Sequence, residues 1–160
     1  MLLFMEVMPV KLYLVQHGEA RPEDEDPERS LTGKGEEETE KISAAAKRLG
    51  LHPSGIFHSG KKRAEQTAGI SAKALSLSAQ FGQGLNPNDD VHPWVERISG
   101  EAEDIMIVGH LPFLEKLASL LVCGDEGAKA VLFRYSAIVC LEKKGSGRWA
   151  VDWVLKPDMV

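Results

Sequence analysis

The sequence predicts an α/β fold: a three-layer sandwich whose mostly parallel central sheet is flanked by helices, with antiparallel strands near the C-terminus. Two observations lead there. Short β-prone apolar runs alternate along the chain with longer segments of helical period, the pattern of β-α-β units. The chain then closes with two β-prone stretches joined at Gly145-Ser146-Gly147, which reads as a late hairpin. At 160 residues such a sandwich forms a single domain. That domain is assigned to residues 10–157, after an N-terminal extension over residues 1–9.

Each element has its own signal. Residues 10–16, Val-Lys-Leu-Tyr-Leu-Val-Gln, are mostly apolar, as a central strand buried on both faces should be. An acidic loop containing a proline follows, from Arg21 to Arg29. Between Thr32 and Leu49 the positions Ile42, Ala45, Ala46 and Leu49 form one stripe of an amphipathic helix, with Gly50 placed to cap it. A short strand, Ile56 to His58, leads into a second helix over about residues 61–75, faced by Ala64, Ala68, Ala72 and Leu75. A turn at Gly82–Asn88 precedes a short amphipathic segment around Trp94, Val95 and Ile98. Residues 104–108, Asp-Ile-Met-Ile-Val, read as another buried strand, and a third long helix carries Leu114, Leu117, Ala118 and Leu121. The C-terminal strands are expected over residues 131–142 and from Trp149 to Leu155. Trp94, Trp149 and Trp153 are expected in the core.

Composition narrows the function. A net charge of −5 offers no electrostatic basis for nucleic-acid binding, since phosphate backbones attract basic surfaces. No apolar stretch approaches the roughly 20 residues of a membrane span. Met1 to Val10 is apolar, but Glu6 interrupts it and neither a basic start nor a small-residue cleavage site frames it, so a cytoplasmic protein is expected. Cys123 and Cys140 make no disulfide framework and no zinc motif. A thiol phosphatase also needs an arginine six residues after its cysteine, where this chain has Lys129 and Ser146. Both cysteines are therefore expected to be packing residues. His52, His58 and His92 lack metal-ligand spacing, and no metal or cofactor is expected.

The chemistry gathers at strand ends. Open α/β sheets bind ligands outside the carboxyl ends of their strands. His17 lies just after the first strand, Ser59 just after the second, and His110 just after the strand at 104–108. Arg63 opens the helix that follows the second strand. The helix after His110 begins at Leu111-Pro112, and its free N–H groups and positive dipole end favour an anion. Phosphate is the ligand such a rim predicts.

These residues also carry a family resemblance. Leu14-Val15-Gln16-His17-Gly18-Glu19-Ala20 resembles the arginine-histidine-glycine motif that opens the histidine phosphatase superfamily. Arg29-Ser30-Leu31-Thr32 with Gly35, and Ser59 to Thr67 ending Arg63-Ala64-Glu65-Gln66-Thr67, are similar to the next signatures of its SixA-like branch. Gly109-His110-Leu111-Pro112 and Ser136-Ala137-Ile138 resemble later ones, so the matches run in order from about residue 10 to 155. The resemblance implies a metal-independent phosphatase with a phosphoglycerate mutase-like fold. In it His17 would be the nucleophile forming a phosphohistidine intermediate, with Arg63 and His110 binding phosphoryl oxygens. It further implies a phosphohistidine protein as substrate. Gln16, Arg29 and Ser59 join the expected phosphate-binding set.

One position departs from the pattern: Gln16 stands where the family motif has arginine. An amide donates hydrogen bonds but brings no charge, and a charge-assisted bond is worth about 1.5–3 kcal/mol. The candidate general acids are Glu19 and Asp89. A weak acid matters least for a good leaving group, and imidazole, with a pKa near about 6.5, departs more readily than an alkoxide. Two alternatives stand beside phosphohistidine hydrolysis. One is a phosphatase of small phosphoesters, and the other a phosphate- or phosphoprotein-binding module without turnover.

Overall fold

The computed structural model describes residues 8–160, so most of the extension assigned to residues 1–9 lies outside it. From Lys11 the elements run β1 (Lys11–Gln16), α1 (Gly33–Arg48), β2 (Gly55–His58), α2 (Lys62–Leu75), β3 (Ala79–Phe81) and α3 (His92–Ser99). They continue with β4 (Ile105–Gly109), α4 (Phe113–Cys123), β5 (Ile138–Lys143) and β6 (Trp149–Leu155). The strands form one sheet in the order β3-β2-β4-β1-β5-β6. β1, β4, β2 and β3 are mutually parallel, whereas β5 is antiparallel to both β1 and β6. Among the described residues no helix is long and apolar enough to cross a membrane.

The period of two along each strand builds the three layers. Leu12 and Leu14 of β1, Ile105 and Ile107 of β4, and Val139 and Leu141 of β5 face one way, against Trp94, Ile98, Leu114, Leu117 and Ala118 of α3 and α4. Their neighbours Tyr13, Val15, Met106, Val108, Ile138 and Cys140 face the other way, against Ile42 and Ala46 of α1 and the alanines of α2. The central strands are buried on both faces, which is why they read as continuous apolar runs. On α2 the inward stripe is Ala64, Ala68, Ala72 and Leu75, all buried. Small side chains there let the helix lie close to the sheet, and its first turn is held near the strand ends.

Local rules set the helix ends. The Thr32 side chain accepts from the Gly35 N–H at 3.0 Å and caps α1. At the other end Gly50, at φ +75°, donates to Lys47 O while Leu51 donates to Ala46 O, the paired bonds of a Schellman turn.

Four expectations need correction. β3 was not foreseen, because three residues at a sheet edge, Ala-Gln-Phe, are too few to show a period. The strand expected over 131–142 begins only at Ile138. Before it, Ser136 takes φ +63° and Ala137 donates to Arg134 O at 3.2 Å, so the chain turns; Val131 and Phe133 are apolar because they are buried in a loop. Leu49 ends the predicted stripe but is 60% exposed, since it is the residue at which α1 stops. Cys140 is buried as expected, whereas Cys123 is exposed at the last turn of α4.

Candidate active site

The site follows from strand register. β1 and β4 pair with Gln16 opposite Gly109, so the next residues, His17 and His110, leave the sheet side by side. The His17 N–H donates to Gly109 O at 3.0 Å, and the two imidazole rings lie 5.1 Å apart. One strand further over, β2 ends at His58 and delivers Ser59, then Arg63 in the first turn of α2. The Arg63 Nε–H donates to His17 Nε2 at 3.3 Å. β5 runs the opposite way and pairs Ile138 with Val15, which returns residues 134–137 to the same rim. There Ser136 N–H donates to Gln16 O at 2.9 Å, and the Tyr135 ring lies 5.6 Å from that of His17.

Glycine follows His17 for a steric reason. A Cβ on Gly18 would stand 2.8 Å from Thr39 Oγ1, 3.0 Å from Gly35 O and 3.1 Å from Ser136 Oγ. Its N–H is held by Thr67 Oγ1 at 2.9 Å, which ties the loop after β1 to α2. Thr39 in turn bonds Ser136 Oγ at 2.8 Å, so α1, α2 and the turn before β5 converge behind His17.

Protonation at this rim is decided by burial. His17 Nδ1 lies 2.7 Å from Gly18 O, and a carbonyl can only accept, so Nδ1 carries the proton and Nε2 keeps its lone pair. Burial pushes the His17 imidazole down to about 4, reinforced by Arg63 and Arg29 and opposed by the Gly18 carbonyl. His110 falls to about 3, again mainly through burial, with His17, Arg63, Lys61 and Arg29 adding to it. Both rings are therefore neutral near pH 7. Arg63 is itself moved down by burial and by Arg29.

A cavity of about 360 Å³ opens over these groups. Of the predicted residues, Gln16, His17, Arg29, Arg63 and His110 line it. Gln16 Oε1 and His110 Nδ1 are buried without a hydrogen-bond partner among the described residues. An orphaned buried polar atom is costly, and an oxyanion would relieve the one on His110. Rotation of the Gln16 amide by a half turn would present its NH2 in place of the oxygen. Arg29 reaches the cavity from a closed turn at φ +51°, where Asp26 accepts from Ser30 N–H, Ser30 Oγ–H and Glu28 N–H. Its Nε–H donates to Arg21 O at 3.2 Å, which leaves the terminal nitrogens for a ligand.

Other predicted residues lie elsewhere. Ser59 is buried behind His110, with Oγ 2.6 Å from His110 Nε2 and accepting from Lys61 N–H at 3.3 Å. It orients the imidazole and does not line the cavity. Glu19 Oε2 accepts from Thr32 Oγ1 at 2.7 Å, and Asp89 Oδ2 accepts from Asn86 N–H at 2.8 Å. Neither carboxylate lines the cavity. His58 accepts from Gly60 N–H at 3.1 Å and is buried. Asp90, His92 and Glu126 are brought within reach of one another, but on the surface and apart from this rim. The loop at 21–29 borders a second groove of about 500 Å³, between Glu23 and Glu28 on one wall and Lys61 and Lys62 on the other, which shares Arg29 and Arg63 with the cavity.

Three lining residues escaped the sequence reading: Pro87, Leu111 and Tyr135. Pro87 lies within the Gly82–Asn88 turn, and Leu111 and Tyr135 adjoin His110 and Ser136, but position in the chain alone does not say which side chain turns inward.

Comparison with known proteins bears on family and fold. Residues 12–87 match the family model of the histidine phosphatase superfamily, branch 1. An uncharacterized protein of Picosynechococcus is 36% identical over 126 residues, covering 74% of this chain and 76% of that one. The protein histidine phosphatase SixA in complex with tungstate superposes with a TM-score of 0.81 at 24% identity, over 94% of this chain and 99% of that chain. A SixA protein from Agrobacterium tumefaciens does so at 0.76 and 25% identity, over the same shares. Matched in motif order, in fold and in its relatives, the chain belongs to the histidine phosphatase superfamily, within the SixA-like group.

Proposed function

We propose that this chain is a phosphohistidine phosphatase that works through a covalent intermediate on His17, without a metal. The observation that carries the reading is the state of His17: buried, neutral, with Nδ1–H committed to Gly18 O and the Nε2 lone pair beside Arg63. In the free protein Arg63 occupies that lone pair. A phosphoryl group entering the cavity would draw the guanidinium onto its oxygens and release Nε2 for attack.

In the first step Nε2 of His17 forms a bond to phosphorus as the bond from phosphorus to the substrate nitrogen breaks. The substrate imidazole carries a proton on its other ring nitrogen, taken from solvent before the bond breaks, and so departs as the neutral ring. Water then attacks the phosphorus, giving inorganic phosphate and restoring neutral His17. Arg63 and Arg29 offset charge on the phosphoryl oxygens, and His110 donates from Nδ1 when Ser59 donates to its Nε2. Gln16 contributes a neutral donor in place of a cation.

Among the described residues the cavity lining contains no carboxylic acid, and both candidate acids are occupied by local hydrogen bonds outside it. An alkoxide needs such an acid at the departing oxygen itself, whereas an imidazole can be protonated by solvent at its distal nitrogen and then leave as the neutral ring. The non-catalytic reading is favoured by one observation, the uncharged Gln16. The two are separated by brief exposure to phosphorylated histidine protein followed by mass spectrometry of the peptide bearing His17. A phosphate on His17, absent in His17→Ala at unchanged melting temperature, is expected. Turnover of the substrate by folded His17→Ala at a near-normal rate would overturn the assignment.

A further inference from the structure

We infer that Tyr135 forms, with Pro87 and Leu111, a leaving-group subsite at the cavity mouth that selects a flat aromatic ring. The inference rests on the phosphatase reading for its meaning, but its geometry stands apart from it. The cavity is divided by chemistry. His17 and His110, both buried, form its floor together with Arg63 and Gln16. Its remaining nonpolar lining comes from Pro87, Leu111 and Tyr135.

Tyr135 spans the depth of this wall. Its ring lies 5.6 Å from that of His17, a residue only 6% exposed, yet Tyr135 itself is 44% exposed. A single ring that meets a buried imidazole and still reaches solvent must run from the floor to the mouth. The backbone enforces the placement, because Ser136 at φ +63° is hydrogen-bonded to Gln16 O and clamped by Thr39. Ordinarily an aromatic ring this exposed gains little from folding. Here it is held beside the nucleophile by a residue in the left-handed region.

The reaction requires the leaving group to depart roughly in line, away from Nε2 and therefore toward the mouth. A group leaving there passes along the Tyr135 ring. A planar ring can lie against that face with full contact, as aromatic pairs do, whereas a puckered or branched alkyl group cannot. The histidine side chain of a phosphoprotein is such a planar group.

The test uses two stable probes of equal bulk, phenylphosphonate and cyclohexylphosphonate, with tungstate as the oxyanion alone. Affinities are measured by titration for the wild type, Tyr135→Phe and Tyr135→Ala, alongside turnover of phosphoimidazole. The expected result is a preference of about three- to tenfold for the phenyl probe in wild type and Tyr135→Phe, lost in Tyr135→Ala, with tungstate affinity unchanged within about twofold. Equal binding of the two phosphonates by the wild type would overturn the subsite. So would a preference that survives in Tyr135→Ala, or a loss of tungstate affinity as large as the loss for phenylphosphonate, which would mean that the ring merely supports His17. An inert wild type on phosphoimidazole that keeps its phenyl preference would instead refute the phosphatase reading and leave the subsite standing.

Discussion

The protonation of His17 is the most exposed consequence of this site. Burial and the neighbouring Arg63 and Arg29 hold its imidazole down at about 4, from an ordinary 6.5. At pH 5.5 an ordinary imidazole would be about 9% neutral, whereas one titrating near 4 is about 97% neutral. His17 should therefore keep its lone pair some two pH units further into acid than histidine normally does. Proton NMR of the ring hydrogens, followed from pH 8 to 3.5, reads this directly; the signal absent from His17→Ala identifies the residue. Arg63→Ala should raise the midpoint, since it removes a charge and uncaps Nε2. The same difference bears on stability. Between pH 6.5 and 4 the unfolded chain binds a proton that the folded chain does not, so stability present above pH 6.5 is lost as pH falls, by about 3 kcal/mol over that window. Urea unfolding of His17→Ala should show a correspondingly shallower acid slope. A His17 midpoint near 6.5 in the wild type would refute the reasoning, because it would mean that the ring is solvated.

Gln16→Arg should tighten tungstate and raise kcat/KM on phosphohistidine substrates by about tenfold, the difference of about 1–1.5 kcal/mol between charged and neutral hydrogen bonds. Without an anion the same variant should melt at lower temperature, since a third guanidinium joins Arg63 and Arg29; no change in affinity or melting would mean that Gln16 does not face the phosphate. Gly18→Ala should destabilise the fold by about 1–3 kcal/mol in urea unfolding, because its Cβ would press on Thr39, Gly35 and Ser136. Activity should survive excess chelator and be inhibited by vanadate or tungstate; recovery of a chelated enzyme only on adding zinc or magnesium would contradict the metal-free chemistry.

Much of this molecule was decided within short stretches of sequence. The central strands are mostly apolar because helices cover both faces, and α1 and α2 repeat small or apolar residues at the spacing of one helix face. Such periods are local, so β1, β2, β4, α1, α2 and α4 could be placed from the order of residues alone. The strand-end rule then put His17, Ser59, Arg63 and His110 on one rim, and strand register brought His17, Arg63 and His110 together there. Other features depend on residues far apart in the chain. Whether Ser59 meets phosphate or stands behind His110 depends on a 2.6 Å contact across 51 positions. Tyr135 joins His17 only because β5 pairs antiparallel with β1 and its preceding turn is bonded to Gln16. Glu19 and Asp89 carry the right functional group, but their neighbours' N–H and O–H groups capture them outside the cavity. Sequence determines which groups exist and which way a strand or helix faces. Burial, and with it the neutral state of His17, arises only when six strands and four helices close around the ring and exclude water.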